Sequence, residues 1–405
     1  MSDKDLFRTA ALRALESGEL SEEETLKLVE DVVFEDSAAR DREDLVETEA
    51  LIRRVYGRMR GVLGELSYIL DERGVNEIMV NGPGHVFVER FGHMERVEDS
   101  FADVQELENV IRRIAASVHR EINELNPILD ARLPDGSRVN AVMKNVAIGG
   151  PSLTIRKFGD NRILLEDMIS SGSISEECAE DLKDLVTAGY NIFVSGGTSS
   201  GKTTFLNALS EFIPQGERVV VIEDSLELKL DEIENIVRLE CRTANSAGRG
   251  AVTMNDLIRA SLRMRPDRLI VGEVRGGEVS SMLQALNTGH SGMSTGHGNS
   301  VKGMLRRLEA MYLSGADIPI DAIRMQIVEA IDIMVHMERL KDGSRRVVEV
   351  REITGYKDGS YELNTLYELS HDMKLTYTGN KLKDEIKLRL RGIENERLCG
   401  SRADN

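Results

Sequence analysis

The chain has 405 residues, and its 52 basic and 70 acidic side chains give a formal net charge of −18. At about 150 residues per domain, this length predicts two to three domains. Apolar residues make up 41% and charged residues 30%, a balance typical of a folded soluble protein. The negative charge, the lack of Trp and the 4% aromatic content argue against direct binding of nucleic acid, which relies on basic side chains and aromatic stacking.

The N-terminus and the cysteines indicate a protein of the reducing cytoplasm. MSDKDLFRTA lacks the basic start and apolar core of a signal peptide, and no segment has the roughly 18 uncharged apolar residues of a transmembrane helix. Cys178, Cys241 and Cys399 are scattered, so they fit neither a disulfide framework nor a paired metal site. We therefore expect a cytoplasmic protein without a transmembrane segment, which docks on another component if it works at a membrane.

The first 65 residues are predicted to form a helical extension with an acidic face. Residues 1–50 contain 16 acidic and 6 basic side chains. In LSEEETLKLVEDVVFE the apolar residues recur at near-helical spacing, and Ser21 stands where an N-cap is expected. ETEALIRRVYGRMRGVLGEL reads as another amphipathic helix. The acidic face is either a solvated surface or a docking face for a partner, and the sequence leaves both open.

Residues 68–158 are predicted to form an α+β domain. VNEIMVNGPGHVFVER indicates two short strands around a Gly-Pro-Gly turn, and ARLPDGSRVNAVM indicates a hairpin with the turn Pro-Asp-Gly. Between them, DVQELENVIRRIAASVHREI has the periodicity of a long amphipathic helix, and PSLTIRKF follows as a further strand. Residues 159–187 are expected to be a linker and a helix.

From residue 188 the pattern changes to strands that alternate with helices. NIFVS, RVVVIED, IVRLE and DRLIVGEV are near-continuous apolar runs, as in buried parallel strands. The intervening segments have helical periodicity, which predicts a doubly wound α/β domain. We assign this domain to residues 188–356, with a closing hairpin around Lys341-Asp342-Gly343. The mixed, charged segment 357–405 is a tail to which the sequence assigns no role.

A glycine-rich motif lies where the first of these strands meets its helix. GGTSSGKTT at 196–204 matches G-x-x-x-x-G-K-[ST], with a strand before it and a helix after it. Its glycines let the backbone N–H groups face a β-phosphate, Lys202 reaches the β- and γ-phosphates, and the Thr203 hydroxyl binds Mg²⁺. The motif therefore predicts binding of a nucleoside triphosphate by Gly196, Gly197, Thr198, Ser199, Ser200, Gly201, Lys202, Thr203 and Thr204.

Acidic residues end two of the predicted strands. Glu273 ends the strand in RPDRLIVGEVRGG, where a carboxylate can position the attacking water, although a surface carboxylate is the alternative. Gly272 stands where many nucleotide hydrolases have an Asp that supports Mg²⁺. In IEDSLE, Glu223, Asp224 and Glu227 offer carboxylates that can support Mg²⁺ instead, or act only as caps or solvated charges.

Two histidines, His290 and His297, lie in TGHSGMSTGHGNS at 288–300. No other Cys or His is close enough in sequence to complete a zinc site. A neutral histidine can instead donate to a γ-phosphate or report a change of nucleotide state. The alternative is two loop histidines without a function.

These four motifs occur in one order and together resemble the type II/type IV secretion ATPase superfamily. Its signatures are Walker A (GGTSSGKTT), an Asp box (IEDSLE), an atypical Walker B (LIVGEVRGG) and a His box (TGHSGMSTGHGNS). ARLPDGSRVN, LTIRKF and SLRMRPDRLIVGEVRGGE look more narrowly like the CpaF-type ATPase of Tad/Flp pilus systems. The resemblance implies a RecA-like P-loop ATPase domain after an α+β, PAS-like N-terminal domain.

The resemblance also implies roles for individual residues. Lys202 and Thr203 match the phosphate and Mg²⁺ contacts, and Glu273 matches the catalytic glutamate. The Asp box residues are Glu223, Asp224 and Glu227, and the His box residues are His290 and His297. Arg275 matches a basic residue of the extended Walker B motif. Arginines of the N-terminal domain that face the γ-phosphate, often across a subunit contact, match Arg132, Arg138 and Arg156, each of which is otherwise a surface charge.

For the whole molecule, the resemblance implies a homohexameric cytoplasmic motor that binds ATP between its two domains. Such a motor acts on an inner-membrane platform protein and drives pilus assembly or protein secretion. Two other functions remain open. One is a conjugation-type ATPase for transfer of DNA or effector proteins. The other is a slow nucleotide-gated docking switch, favoured by the missing Asp at Gly272 and disfavoured by Glu273.

Overall fold

The computed structural model describes residues 3–17, 20–39, 45–60, 63–72, 74–90, 93–157, 163–242, 244 and 249–399. The chain divides into two compact units, Met1–Asp160 and Asn161–Asn405. The boundary that the sequence predicts at residues 158 and 159 lies outside the described residues. None of the helices in the described ranges is both long enough and apolar enough to cross a membrane.

Three helices open the first unit: α1 (Asp3–Ser17), α2 (Glu22–Ala39) and α3 (Leu45–Arg60). Ser21 caps α2 as the sequence predicts, because its Oγ accepts the N–H of Glu24 at 3.3 Å while the Glu24 carboxylate accepts the N–H of Ser21 at 2.7 Å. The three helices bury a small apolar core of their own, which comprises Leu6, Ala10, Val29, Val32, Val33, Leu51, Ile52 and Val55.

An antiparallel sheet with one long helix forms the rest of the first unit. The elements are α4 (Tyr68–Asp71), β1 (Val75–Asn81), β2 (Val86–Arg90), β3 (His93–Val97), α5 (Val104–Ser117), β4 (Ile128–Arg132), β5 (Arg138–Val142) and β6 (Ser152–Arg156). The strand order is β3-β2-β1-β6-β5-β4. The side chains of α5 that are buried in the core of this unit include Leu107, Ile111 and Ile114.

Both hairpins predicted for this unit are confirmed. β1 and β2 pair around Gly82, where φ is +79° and a Cβ would lie 2.7 Å from the carbonyl oxygen of Gly149, so only glycine fits. β4 and β5 pair around Gly136, and the N–H of Leu133 donates to the carbonyl of Ser137 at 2.8 Å. β3 is a strand that the sequence does not predict, because its side chains are mostly exposed and polar.

The second unit is built on a nine-stranded sheet. Its elements are α6 (Leu165–Ser170), α7 (Glu176–Ala188), β7 (Ile192–Gly196), α8 (Lys202–Ser210), β8 (Val219–Glu223), β9 (Ile236–Glu240), α9 (Met254–Ser261), β10 (Arg268–Val271), α10 (Val279–Asn287), β11 (Ser291–His297), α11 (Val301–Gly315), α12 (Ile320–Ala330), β12 (Ile333–Arg339), β13 (Arg345–Lys357), β14 (Ser360–Leu369), β15 (Leu375–Tyr377) and α13 (Ile386–Leu390). The strand order is β15-β14-β13-β12-β7-β11-β10-β8-β9.

The strands from β12 to β9 in this order are parallel, and β13, β14 and β15 extend the sheet with antiparallel pairing. Separate apolar clusters cover the two faces of the sheet: Val194 and Val221 belong to one, and Phe193 and Val220 to the other. Alternate residues of the same strands therefore enter different cores, as in sheets covered by helices on both faces. The doubly wound α/β class is confirmed.

Two parts of the sheet differ from the sequence-based assignment. β11 passes through the segment that the sequence describes only as a loop with histidines. The strand contains small residues because α10 and α11 pack closely against it. A Cβ on Gly292 would lie 2.5 Å from Leu286 Cδ2 of α10, and one on Gly296 would lie 2.8 Å from Met304 Cε of α11. The sheet also continues through β14 and β15, beyond the boundary that the sequence places at residue 356.

Buried carboxylates fasten the C-terminal segment to the second unit. Asp181 of α7 is 1% exposed and accepts from Arg397 Nε at 3.0 Å and Asn395 Nδ2 at 2.9 Å. Glu352 of β13 is also buried and accepts from the backbone N–H of Lys383 at 2.9 Å. Two further pairs repeat the pattern, namely Glu217 with Arg391 and Asp332 with Lys387. These pairs give residues 383–397 a structural role in closing the unit.

Replacing Asp181 with Ala is expected to lower the free energy of unfolding of the chain by about 3 kcal/mol, because the buried partners of its carboxylate lose their acceptor. The matched control is Glu180→Ala, because Glu180 pairs with the same Arg397 but is 60% exposed, so its loss should cost less than about 1 kcal/mol. Urea titration followed by circular dichroism measures both changes. Equal midpoints for the two variants would show that the buried pairs do not hold the segment.

Candidate active site

Four neighbouring parallel strands end at the same edge of the second sheet and carry the predicted site residues. Gly196 ends β7, Glu223 ends β8, Glu273 follows β10 by two residues, and His297 ends β11. In the strand register Gly196 is paired with His297. Ligands of open α/β sheets bind outside the carboxyl ends of the strands, so this edge is the expected place for a site.

The glycine-rich loop 197–201 connects β7 to α8 in a tight turn. Gly201 has φ +92°, in the left-handed region that favours glycine. A Cβ on Gly196 would lie 2.4 Å from the carbonyl oxygen of Met337 and 2.5 Å from Ser200 Oγ, so a side chain has no room there. The loop leads directly into the N-terminus of α8, where the motif predicts that an anion binds.

Lys202 is the first residue of α8, and its side chain is buried. Its Nζ donates to the carbonyl of Gly197 at 2.9 Å and lies 3.3 Å from His297 Nδ1. Burial lowers the pKa of Lys202, and the nearby Glu273 carboxylate opposes this effect. Thr203 and Thr204 follow in the first turn of the helix.

Glu273 is held between a histidine and an arginine. His297 Nε2 lies 2.8 Å from one carboxylate oxygen, and Arg275 Nη2 donates to the other at 2.7 Å. Burial, followed by the charge of Lys202, lowers the pKa of His297, which favours a neutral ring at pH 7. A neutral ring can accept from Lys202 at Nδ1, while its Nε2 lies close to Glu273 Oε1 without hydrogen-bond geometry.

The Asp box residues occupy different positions. Glu223 is 3% exposed, and its Oε1 accepts from the backbone N–H groups of Glu227 at 2.9 Å and Leu228 at 3.1 Å. A Cβ on Gly272 would lie 2.9 Å from Glu223 Cγ. The Glu223 side chain therefore fills the space beside Gly272 where an Asp would otherwise project. Asp224 lies 3.5 Å from Arg275 Nη1, so Arg275 contacts the carboxylates of both Asp224 and Glu273.

A cavity of about 520 Å³ lies beside the loop, lined by Gly197, Thr198, His297, Gly298, Asn299, Gly303 and Arg307. Arg307 of α11 was not found from the sequence, because nothing distinguishes it from other helix-surface arginines. The sequence also missed the contact beneath the loop between Ser195 Oγ and the buried His336 Nδ1, which are 2.9 Å apart. Burial lowers the pKa of His336.

His290 is not brought to this site. It precedes β11, whereas His297 ends it, and a seven-residue strand separates the two by about 20 Å. His290 Nδ1 lies 3.1 Å from the carbonyl oxygen of Ala285 and 3.1 Å from Thr288 Oγ1, at the C-terminal end of α10. The two histidines that form one motif in the sequence thus lie at opposite ends of one strand.

The three arginines of the first unit form one row across its sheet. Arg132 of β4 is the register partner of Arg138 of β5, which is in turn the partner of Arg156 of β6. Glu77 of β1 is the next residue in the row. Like charges directly opposite each other destabilise a sheet. The strand register places Arg132, Arg138 and Arg156 side by side, with Glu77 beside Arg156.

A mainly parallel sheet with helices on both faces and a phosphate-type loop after β7 defines the RecA-like α/β class. Residues 64–359 match the family model described as Type II/IV secretion system protein. A crystal structure of the pilus retraction motor PilT with bound ADP is similar in fold, with a TM-score of 0.52 and 18% identity over 81% of this chain and 86% of that chain. The chain belongs to the type II/IV secretion system protein family.

Two relatives illustrate the family. A probable conjugal transfer protein TrbB of Sinorhizobium fredii is 33% identical over 317 residues, which cover 77% of this chain and 94% of that protein. An uncharacterized protein of Methanocaldococcus jannaschii is 42% identical over 239 residues, or 57% of this chain. The match spans only 33% of the length of that archaeal protein.

Replacing Lys202 with Met is expected to raise the pKa of His297, because it removes a positive charge that disfavours the imidazolium. In the wild type the His297 pKa lies below its ordinary value, so the ring gains its proton only as the pH falls below the usual range. Histidine-selective NMR titration measures both proteins. The control is Lys183→Met, because Lys183 lies over the ring of Phe212 instead. An unchanged His297 titration in the Lys202 variant would contradict the described contact.

Proposed function

We propose that this protein is an ATP-hydrolysing motor that powers pilus assembly or protein secretion, of the CpaF type found in Tad/Flp systems. The observation that carries the proposal is the linkage of the phosphate-loop lysine to a strand-end carboxylate. Lys202 lies 3.3 Å from His297 Nδ1, and His297 Nε2 lies 2.8 Å from Glu273. Phosphate binding and water positioning therefore share one small, partly buried space.

ATP binds, in this proposal, through the backbone N–H groups of residues 196–204 and the ammonium group of Lys202. The donor set fits Mg²⁺, which prefers oxygen ligands, keeps several waters and uses substrate phosphates. In the described part of the chain no cluster of three or more His, Cys, Asp or Glu side chains is arranged to hold a metal without such help. The Thr203 hydroxyl would hold Mg²⁺, and one carboxylate among Glu223, Asp224 and Glu227 would support the ion through water. The ion would neutralise phosphate charge when bound.

Hydrolysis requires a carboxylate that orients the attacking water, and we assign this role to Glu273. Arg275 holds one oxygen of the carboxylate at 2.7 Å and so fixes its direction. Neutral His297 lies between Lys202 and Glu273, so it can report the arrival of phosphate at the lysine. We assign no part in this chemistry to His290, because it lies at the other end of β11.

The arginine row of Arg132, Arg138 and Arg156 is proposed to stabilise the negative charge of the transferred phosphoryl group. In this proposal the row acts across a contact between neighbouring subunits of a homohexamer. Arginines that act in this way contribute about 10³–10⁵ in rate, so an isolated subunit should hydrolyse ATP slowly. The register that aligns the three side chains supports a shared role.

We propose the following division of labour along the chain. Residues 1–65 dock on an inner-membrane platform protein from the cytoplasmic side, and residues 68–158 supply the arginine row. Residues 159–187 connect this domain to the ATPase domain at 188–356. Of the segment 357–405, the described residues up to 399 complete the ATPase domain, because β14, β15 and the buried carboxylate contacts attach them to it.

A conjugation-type ATPase for DNA or effector transfer is the second candidate. It is supported by the relative named as a probable conjugal transfer protein, of which the match covers 94%. The formal net charge of −18 argues against direct handling of DNA, so such a motor would power a neighbouring protein. The active-site chemistry is the same in both candidates.

Replacing Glu273 with Gln is expected to keep the binding of Mg·ATP while lowering its hydrolysis by about 10²–10⁴-fold, because Gln retains the shape but not the charge that orients water. Fluorescent-nucleotide titration measures binding, and phosphate release across a range of protein concentrations measures hydrolysis. The control Glu329→Gln changes an exposed acid on α12 and should leave both unchanged.

Hydrolysis at the wild-type rate in the Glu273 variant would remove the catalytic assignment. A wild-type protein that binds ATP but hydrolyses it near background at every concentration would favour the nucleotide-gated switch. Loss of nucleotide binding by Glu329→Gln alone would place the nucleotide elsewhere.

A further inference from the structure

An arginine that lies outside all four sequence motifs, Arg345, contacts the glycine-rich loop through a loop carbonyl group. Arg345 is the first residue of β13, and its Nε donates to the carbonyl oxygen of Ser199 at 3.0 Å. Its side-chain stem covers the loop as well, because a Cβ placed on Gly201 would lie 3.2 Å from Arg345 Cδ. The sequence separates Arg345 from the loop by more than a hundred residues, so no motif includes it.

The sheet places Arg345 at this position. β12 lies parallel to β7 with Met337 paired to Gly196, and β13 returns beside β12 with Arg345 paired to Arg339. The connecting turn is closed by its own contacts, since the Ser344 N–H donates to Asp342 Oδ1 at 2.9 Å. The start of β13 is therefore fixed beside the loop by backbone pairing.

The contact with Arg345 is made at the loop residue whose backbone conformation is the least favourable, Ser199. Ser199 has φ +57°, a left-handed conformation that residues other than glycine rarely adopt. In a trans peptide the carbonyl and the following N–H point in opposite directions. With the Ser199 carbonyl turned to Arg345, the Ser200 N–H points to the other side and donates at 3.4 Å to the carbonyl of Gly197, which also accepts from Lys202 Nζ.

We propose that Arg345 is a positioning residue for nucleotide binding, which holds the Ser199–Ser200 peptide in the turn that shapes the phosphate-binding loop. The inference rests on the proposed function, because it requires that the loop bind a nucleoside di- or triphosphate. Arg345 acts through the loop that surrounds the β-phosphate and not on the terminal phosphate. It therefore supports the binding of ADP and of ATP to the same extent.

Arg345→Ala is expected to weaken the binding of both Mg·ADP and a non-hydrolysable Mg·ATP analogue by about tenfold, the effect of one hydrogen bond. The KM for ATP should rise by a similar factor while kcat stays near the wild-type value. Because Arg345 is exposed, the unfolding midpoint should not change. Isothermal titration and steady-state hydrolysis by the full chain give these numbers.

Two further variants separate the hydrogen bond from the charge. The side-chain amide nitrogen of Gln occupies the place of the Arg Nε, so Arg345→Gln should bind both nucleotides nearly as the wild type does. Arg345→Lys keeps the charge but has a carbon at that place, so it should resemble Arg345→Ala. Arg346→Ala is the matched control, because Arg346 donates instead to the carbonyl of Met373 at 2.6 Å.

Loss of affinity for the ATP analogue alone would overturn the inference, because it would place Arg345 on the terminal phosphate. Full rescue by Arg345→Lys without rescue by Arg345→Gln would also overturn it, because charge would then account for the effect. Lys202→Ala, measured in parallel, separates the two proposals. If it abolishes binding while Arg345→Ala does not weaken it, the inference alone fails, and if neither variant weakens binding, the proposed nucleotide site fails.

Discussion

The second unit depends on a chain of charged and polar groups at the carboxyl edge of its sheet, from Lys202 through His297 and Glu273 to Arg275. The successive distances are 3.3, 2.8 and 2.7 Å, and the middle one, from His297 Nε2 to Glu273 Oε1, is a close contact without hydrogen-bond geometry. A buried lysine next to a histidine is costly unless the histidine stays neutral, and the lowered pKa of His297 meets that condition. The chain joins the end of β11, the start of α8 and the segment after β10, so the geometry of the site depends on the register of the sheet.

Close packing around small residues makes this arrangement possible. Gly196 has no room for a side chain, and Gly272 leaves its space to the buried carboxylate of Glu223. The Oε1 atom of Glu223 accepts there from the backbone N–H groups of Glu227 and Leu228. The same principle explains β11, where Gly292 and Gly296 allow helices to approach the strand closely. A methyl group added at any of these four glycines would lie within 2.9 Å of a neighbouring atom, so these positions tolerate few changes.

Local chemistry could be predicted from the sequence, and long-range register could not. The loop at 196–204, the parallel apolar strands and the two hairpins of the first unit follow from patterns within a few residues. β11 was missed because it lacks an apolar run, and the pairing of His290 with His297 in one motif concealed their separation by a whole strand. The contact of Arg345 with Ser199 depends on sheet order, which no local pattern encodes.

Arg132 and Arg138 flank the turn of one predicted hairpin, so their proximity follows from local sequence, whereas Arg156 joins the row only through the pairing of β5 with β6. The most direct test of the proposed motor mixes two inactive chains, Arg156→Ala and Glu273→Gln, and measures ATP hydrolysis. If an arginine of one subunit completes the site of its neighbour, the equimolar mixture should recover about a quarter of the wild-type rate, since random neighbours supply both intact residues at one site in four. A mixture no more active than its two components would contradict a site shared between subunits.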